Sequence, residues 1–187
     1  RTRAGSGPRA VRTVRVSPVT APLKGAITLP GSKSITNRAL LMAGLARGTS
    51  RLTGALKSDD TRHMATALRA MGVTVDEPDA TTFVVTATGR LSAPTAPLFL
   101  GNAGTAMRFL TAAVVLANGE GVLDGDPHMR KRPIGALVHS LKTLGVDIAD
   151  TDGKPPVTVR AHGGFSGSRV EIDAALTSQY LSALLML

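Results

Sequence analysis

The chain of 187 residues carries one sequence pattern three times, at intervals of about seventy residues. In each copy, a short apolar run leads through small polar residues into an apolar stretch with helical spacing. The three copies are LPGSKSITNRALLMAGL (29–45), LGNAGTAMRFLTAAVVL (100–116) and IDAALTSQYLSALLML (172–187). Arg38, Arg108 and Gln179 occupy matching positions in them. A repeat of this length favours a fold built from copies of one supersecondary unit.

The pattern around each copy predicts strands at 25–29, 97–100 and 169–172, each followed by a loop and a helix start. After the first copy we predict a strand in TSRLTGAL, a helix in SDDTRHMATALRAMG and a β pair. After the second, GEGVLDG is the strand and RPIGALVHSLKTLG the helix, again with a β pair behind it. The apolar stripes of these two helices are Met64, Leu68 and Met71, and Ile134, Leu137, Leu141 and Leu144. The unit is therefore βαβαββ in an α/β fold, present twice, and a third copy stops in its first helix. Because that helix is apolar, we expect the natural protein to continue past Leu187.

Composition excludes several classes of site. No cysteine is present, which excludes a disulfide framework, a thiolate metal site and a cysteine nucleophile. The four histidines lack the spacing of metal ligands, so we assign them to the surface and predict no metal and no cofactor. No apolar run approaches the roughly 18 residues that span a bilayer, so we predict no membrane partner.

The net charge of +9 is concentrated at one end. Five of the 22 basic residues lie in the first sixteen positions, where there is no acid, and the rest of the chain has 17 basic against 13 acidic residues. We assign residues 1–22 to a basic N-terminal arm. The arm is a solvated tail, a cloning remnant or the remnant of a transit peptide. A location in the cytoplasm is expected, or in a plastid if the arm is a transit remnant.

The three helix starts are rich in groups that bind anions. A helix N-terminus has unpaired N–H groups and a partial positive charge. The first start adds the charges of Lys33 and Arg38, with Gly31 allowing a ligand close to the backbone. The second supplies Gly101, Asn102, Gly104, Thr105 and Arg108, and the third supplies Thr177, Ser178 and Gln179. Threefold internal symmetry would direct all three at one anion-binding site.

Each motif also has a simpler interpretation. GSKS on its own is an ordinary capped helix start, with serine as N-cap. Asp59 and Asp60 are either a general acid/base pair or, as we prefer, first-turn carboxylates that stabilise a helix from outside the site. MRKRP (129–133) is either a nucleic-acid patch or, as we prefer, the source of one arginine that faces the ligand.

Five motifs in order over about 165 residues resemble the 5-enolpyruvylshikimate-3-phosphate synthase family, the target of glyphosate. They are LPGSKSITNRALL, SDDTRHMATALRAMG, LGNAGTAMRFLTA, GDPHMRKRPIGALV and TSQYLSALLM. The resemblance implies an inside-out barrel of two domains, each with three βαβαββ units, and substrates held between them. Residues 23–187 would be most of the first domain, in units of about 23–95, 96–165 and an incomplete 166–187. The resemblance implies that the second domain lies outside this sequence.

The reaction that the resemblance implies belongs to aromatic amino acid biosynthesis. The enolpyruvyl group of phosphoenolpyruvate moves to the 5-hydroxyl of shikimate-3-phosphate through a tetrahedral intermediate, and phosphate is released. The implied catalytic residue is Lys33, which would contact both substrates. The implied shikimate-3-phosphate ligands are Ser34, Arg38, Thr177 and Ser178, and the implied phosphoenolpyruvate ligands are Asn102, Gly104 and Arg132. Gln179 would lie between the two substrates.

Two residues of this chain differ from those that are usual in the family. Phe109 stands where many glyphosate-sensitive members have proline, so sensitivity does not carry over, and Thr177 stands where serine is usual. The family's aspartate base, glutamate acid/base and further cations lie in the second domain. We therefore expect this chain alone to be inactive, and the full-length protein to be a monomer.

Two other functions compete with this interpretation. The sister family, UDP-N-acetylglucosamine enolpyruvyl transferase, has the same fold, but it typically carries asparagine after the loop lysine and a loop cysteine. This chain has Ser34 and no cysteine. A basic nucleic-acid-binding module would lose affinity steeply with salt and with removal of the first sixteen residues.

Overall fold

The computed structural model describes residues 13–167 and 169–187. The first twelve residues of the basic arm lie outside the described part of the chain. Residues 13–30 form neither helix nor strand, and their hydrophobic side chains, among them Val16, Leu23 and Ile27, are exposed. The strand predicted over 25–29 is therefore wrong, because no described strand pairs with this segment and an unpaired strand is not stable in water.

The first repeat unit is a three-stranded antiparallel sheet covered by two helices. Its elements are α1 (Lys33–Leu45), β1 (Arg47–Leu52), α2 (Asp59–Ala70), β2 (Thr74–Asp79) and β3 (Thr82–Thr88). The strand order is β1-β3-β2, and α1 and α2 pack on this sheet and on each other. The predicted stripe of Met64, Leu68 and Met71 is fully buried, which confirms the helical period.

The second repeat unit matches the predicted order completely. Its elements are β4 (Leu98–Phe99), α3 (Gly104–Ala113), β5 (Asn118–Asp124), α4 (Gly135–Thr143), β6 (Asp147–Thr151) and β7 (Lys154–His162). The sheet order is β4-β5-β7-β6, with β4 parallel to β5 and the other pairs antiparallel. The stripe of Ile134, Leu137, Leu141 and Leu144 is buried as predicted.

The third repeat contributes only α5 (Gln179–Leu185) to the described structure. The strand predicted over 169–172 is wrong, because this segment runs along α4 instead of a strand. The Ser140 hydroxyl on α4 donates to the carbonyl of Glu171 at 3.1 Å. Two of the three predicted opening strands are thus missing. The α/β class is confirmed, but the complete βαβαββ unit appears once, in the second copy, because the first copy lacks its opening strand.

Helix α3 is the centre of the core. It contacts α1, α2, α4 and α5, and every one of its residues except Arg108 is buried. None of the five helices in the described residues combines the length and apolar composition needed to cross a bilayer. Because α1, α3 and α5 pack side by side, the residues at their starts lie on one part of the surface.

Candidate functional site

A groove of about 460 Å³ lies between the starts of α1, α2 and α3. Its lining residues are Lys33, Asp59, Asp60, His63, Gly101, Asn102, Ala103, Asp126 and Arg132. We call this the anion groove. It contains three of the residues predicted for substrate binding: Lys33, Asn102 and Arg132. Another cavity is lined by residues 145–147, 160 and 162–166. Its arginine, Arg160, already forms ion pairs with Glu120 and Asp147.

Lys33 occupies the first turn of α1. The helix is capped by Ser32, whose hydroxyl accepts from the N–H of Ile35 at 3.4 Å, as the simpler interpretation of GSKS predicted. The expected role of Gly31 is wrong. A methyl group at Gly31 would lie 2.4 Å from the carbonyl oxygen of Gly54. The space beside this glycine is therefore filled by the loop after β1 and not by a ligand.

The Lys33 ammonium is not free. Its Nζ lies 3.0 Å from Oδ2 of Asp60, with half of the lysine side chain exposed. Asp60 was expected outside the site, and that prediction is wrong, because Asp60 lines the groove. Asp59 also lines the groove, but it pairs with Arg62 on the surface of α2. The pair of Lys33 and Asp60 makes the lysine's charge available only to a ligand that competes with a carboxylate.

Two glycines give the start of α3 its shape. Gly101 has φ +52°, and a methyl group there would lie 2.5 Å from Nε2 of His63. A methyl group at Gly104 would lie 2.5 Å from Nη1 of Arg132. The absence of a side chain at Gly104 therefore lets the Arg132 guanidinium lie against the N-terminus of α3, where both favour an anion.

The turn before Arg132 is held by two carboxylates. Asp126 Oδ1 accepts from the backbone N–H groups of His128 and Met129, at 2.9 and 2.8 Å. Asp124 binds Arg130, with 2.9 Å between Nε and Oδ1. This bond, the backbone N–H of Gly125 and the charge of Arg130 together hold the pKa of Asp124 below its usual value. Arg130 is thus used structurally, and Arg132 is the arginine of MRKRP that lines the groove.

A second polar cluster joins α1, α3 and α5. Arg108 Nη1 donates to Oε1 of Gln179 at 2.7 Å, and Gln179 Nε2 donates to the hydroxyl of Thr105 at 3.2 Å. Arg38 donates to the carbonyl of Ser34 at 3.2 Å and to the hydroxyl of Ser182 at 3.3 Å. Gln179 and Arg38, predicted from helix starts and repeat positions, therefore belong to two sets of hydrogen bonds that both reach α5, and together they form a polar layer next to the start of α3.

The other predicted ligands are not brought into the groove. Thr177 accepts from the backbone N–H of Gln179 at 3.2 Å, and Ser178 is exposed at the start of α5. Ser34 is half-buried, and its carbonyl receives Arg38. The substrate contacts assigned to these residues stay predictions.

His63 is a groove residue that sequence reasoning placed elsewhere. We expected all four histidines on the surface, which holds for His128, His139 and His162. His63 is instead half-buried, with its ring 6.0 Å from that of Phe99 in an edge-on arrangement. Its position three residues after Asp60 on α2 was the available signal, because that spacing puts both side chains on one helix face. Within the described residues, no group of three potential ligands forms a metal site.

Comparisons with known proteins agree with the motifs. The family model for EPSP synthase (3-phosphoshikimate 1-carboxyvinyltransferase) matches residues 18–187. A 3-phosphoshikimate 1-carboxyvinyltransferase of Rhizobium leguminosarum bv. trifolii is 69% identical over 166 residues, covering 89% of this chain and 40% of that protein. One from Pseudomonas syringae pv. tomato is 63% identical over 174 residues, covering 93% of this chain and 42% of that protein.

A solved structure gives the same answer for the fold. EPSP synthase from Acinetobacter baumannii matches with a TM-score of 0.80 at 31% identity, covering 87% of this chain and 38% of that one. The chain thus spans about two fifths of the length of these relatives. Because the family model matches residues 18–187, which is nearly the whole of this chain, the chain belongs to the EPSP synthase family.

Proposed function

We propose that this chain forms one side of the active site of an enolpyruvyl transferase. The enzyme moves the enolpyruvyl group of phosphoenolpyruvate to the 5-hydroxyl of shikimate-3-phosphate and releases phosphate. The observation that carries the proposal is the anion groove, where Lys33, Asn102 and Arg132 line one space at the start of α3. Membership of the EPSP synthase family supports the choice of these anions.

The groove suits phosphoenolpyruvate, which carries a phosphate and a carboxylate. Arg132 has a planar fork of donors that matches either group. The N-terminus of α3 adds backbone donors next to it, and Gly104 keeps the approach open. In the addition step, the 5-hydroxyl oxygen of shikimate-3-phosphate would bond to C2 of phosphoenolpyruvate as the hydroxyl proton passes to the base of the second domain, and the methylene carbon of phosphoenolpyruvate would take a proton. In the elimination step, that carbon would give up a proton and the bond between C2 and the phosphate oxygen would break, which restores the double bond and releases phosphate. Lys33 would balance the phosphate's charge until phosphate leaves.

The adjoining layer suits shikimate-3-phosphate. Arg38 and Gln179 present charged and neutral donors there, and Ser34, Thr177 and Ser178 lie on the same helix starts. We propose that the shikimate ring lies across the starts of α1 and α5, with Gln179 between the two substrates. The partners are then two small anions. We propose no nucleic-acid or membrane partner, a monomeric full-length protein and a cytoplasmic location.

The domain assignment follows from the same proposal. Residues 23–187 would be most of the first of two domains, and the substrates would lie between that domain and the second. The general base, the acid/base glutamate and further cations would come from the second domain. The 187-residue chain is accordingly expected to release no phosphate at saturating concentrations of both substrates.

Isothermal titration with shikimate-3-phosphate tests the site in this chain directly. Wild type is expected to bind weakly and saturably, and Lys33→Ala to bind about tenfold more weakly, because a charged hydrogen bond to the ligand is lost. Lys142→Ala is the matched control, since Lys142 is an exposed lysine on α4. Equal affinities of wild type and Lys33→Ala would contradict the role of Lys33.

A further inference from the structure

Arg38 lies on the face of a buried aromatic ring. The Cζ atom of Arg38 is 5.0 Å from the ring centroid of Phe109. Phe109 is fully buried in α3, and Arg38 is half-buried on α1. A guanidinium within about 6 Å of a ring face is attracted by the ring's electrons, more strongly when water is excluded from one side. The contact is therefore built into the interface between α1 and α3.

The hydrogen bonds of Arg38 leave part of its guanidinium for a ligand. Nη1 donates to the carbonyl of Ser34, and Nη2 donates to the hydroxyl of Ser182. A guanidinium has five N–H groups in one plane, so these two bonds leave three donors. No nitrogen of Arg38 is among the buried, unpaired side-chain atoms of the described residues. The ring and the two bonds hold the plane of the guanidinium, and the side chain is only partly buried, so donors remain for a ligand.

We propose that Phe109 is a positioning residue, which holds the Arg38 guanidinium in the orientation that receives an anionic group of shikimate-3-phosphate. The inference rests on the proposed function for the identity of the ligand. It also gives a physical role to the residue that departs from the family pattern. A proline at position 109 has no π face, so proline would leave the orientation of Arg38 to its hydrogen bonds alone.

The first test needs no ligand. In the ¹⁵N-labelled chain, the Nε–H signal of Arg38, assigned with Arg38→Lys, is expected to lie upfield because of the ring current of Phe109. Phe109→Leu should move the signal back toward the position of a free arginine, and Phe109→Tyr should retain the shift. Phe83→Leu is the matched control. It removes a ring of the same size from the core, where Lys57 and not Arg38 lies over the face.

Two results of this test would overturn the proposal. One is a wild-type Arg38 signal at the free-arginine position. The other is an unchanged signal in folded Phe109→Leu, with folding checked by cooperative urea unfolding. Phe109→Met replaces the leucine variant if the latter does not fold, since methionine fills irregular space without a ring.

The second test measures affinity for shikimate-3-phosphate by titration. Phe109→Leu is expected to bind about threefold to tenfold more weakly than wild type, in the range of a cation–π contact, and Phe109→Tyr to bind as wild type does. The loss should vanish when Arg38 is already alanine. An equal loss in the Arg38→Ala chain would mean that Phe109 acts only through general packing, which overturns the proposal. If wild type does not bind shikimate-3-phosphate, the proposed function fails, and the Arg38 signal still decides the role of Phe109.

Discussion

Arg108 on α3 donates a 2.7 Å hydrogen bond to the side-chain oxygen of Gln179, the residue 71 positions later that opens α5. Arg108 also lies 5.4 Å from the ring centroid of Tyr180. Because Oε1 of Gln179 is occupied by Arg108, its amide nitrogen is directed to Thr105. Matching positions of two repeat copies are thereby joined directly.

The first prediction concerns this bond. Arg108→Met should lower the free energy of unfolding by about 2 kcal/mol, because a part-buried amide oxygen loses a charged donor. Urea unfolding of the chain measures the change. Arg62→Met is the control, since Arg62 lies on the surface and forms an exposed ion pair with Asp59, and it should change stability by less than about 0.5 kcal/mol. Equal losses would remove the special role of Arg108.

The second prediction concerns Gly104. It uses a chimera in which the 166 matched residues of this chain replace their counterparts in the Rhizobium leguminosarum protein. Gly104→Ala should raise the KM for phosphoenolpyruvate by about tenfold, because the new methyl group displaces the Arg132 guanidinium. Gly25→Ala, at a position with open space around it, is the control. An unchanged KM in Gly104→Ala would show that Arg132 does not bind this substrate.

The third prediction concerns the charge of Lys33. Asp60→Asn should strengthen binding of shikimate-3-phosphate by the chain about twofold to fivefold at low salt, because the lysine loses its competing carboxylate. Asp59→Asn, which removes a carboxylate that does not contact Lys33, should have a smaller effect. Weaker binding by Asp60→Asn would mean that Asp60 orients the lysine for the ligand.

The fourth prediction concerns pH. The bond to Arg130 depresses the folded-state pKa of Asp124 below the ordinary value of 3.8. The pair therefore stabilises the fold above about pH 4 and loses that contribution as the pH falls through the depressed pKa. Urea unfolding of wild type and Asp124→Asn should differ by a constant amount from pH 5 to 7, and the difference should shrink toward pH 3. A difference that grows toward low pH would contradict the assignment.

Much of the fold was predictable because the repeat and the apolar stripes are local patterns. The buried faces of α2 and α4 follow from helical spacing alone. The strands at 25–29 and 169–172 were wrong because a strand depends on a pairing partner, and no described segment supplies one.

The site was predictable only in part. Charged residues at helix starts indicated Lys33, Arg38 and one arginine of MRKRP, since a helix start is a local feature, and the family resemblance selected Arg132. The ion pair of Lys33 with Asp60 joins residues 27 positions apart, and the contact between Arg38 and Phe109 depends on how α1 packs on α3. Such long-range contacts have no local sequence pattern.

The most direct test of the proposed activity is phosphate release by the chimera. With both phosphoenolpyruvate and shikimate-3-phosphate present, the chimera is expected to release phosphate, and omission of either substrate should abolish release. Lys33→Ala in the chimera should reduce turnover by about a hundredfold or more. A folded chimera that releases no phosphate, or a Lys33→Ala chimera as active as its parent, would contradict the assignment of this groove to enolpyruvyl transfer.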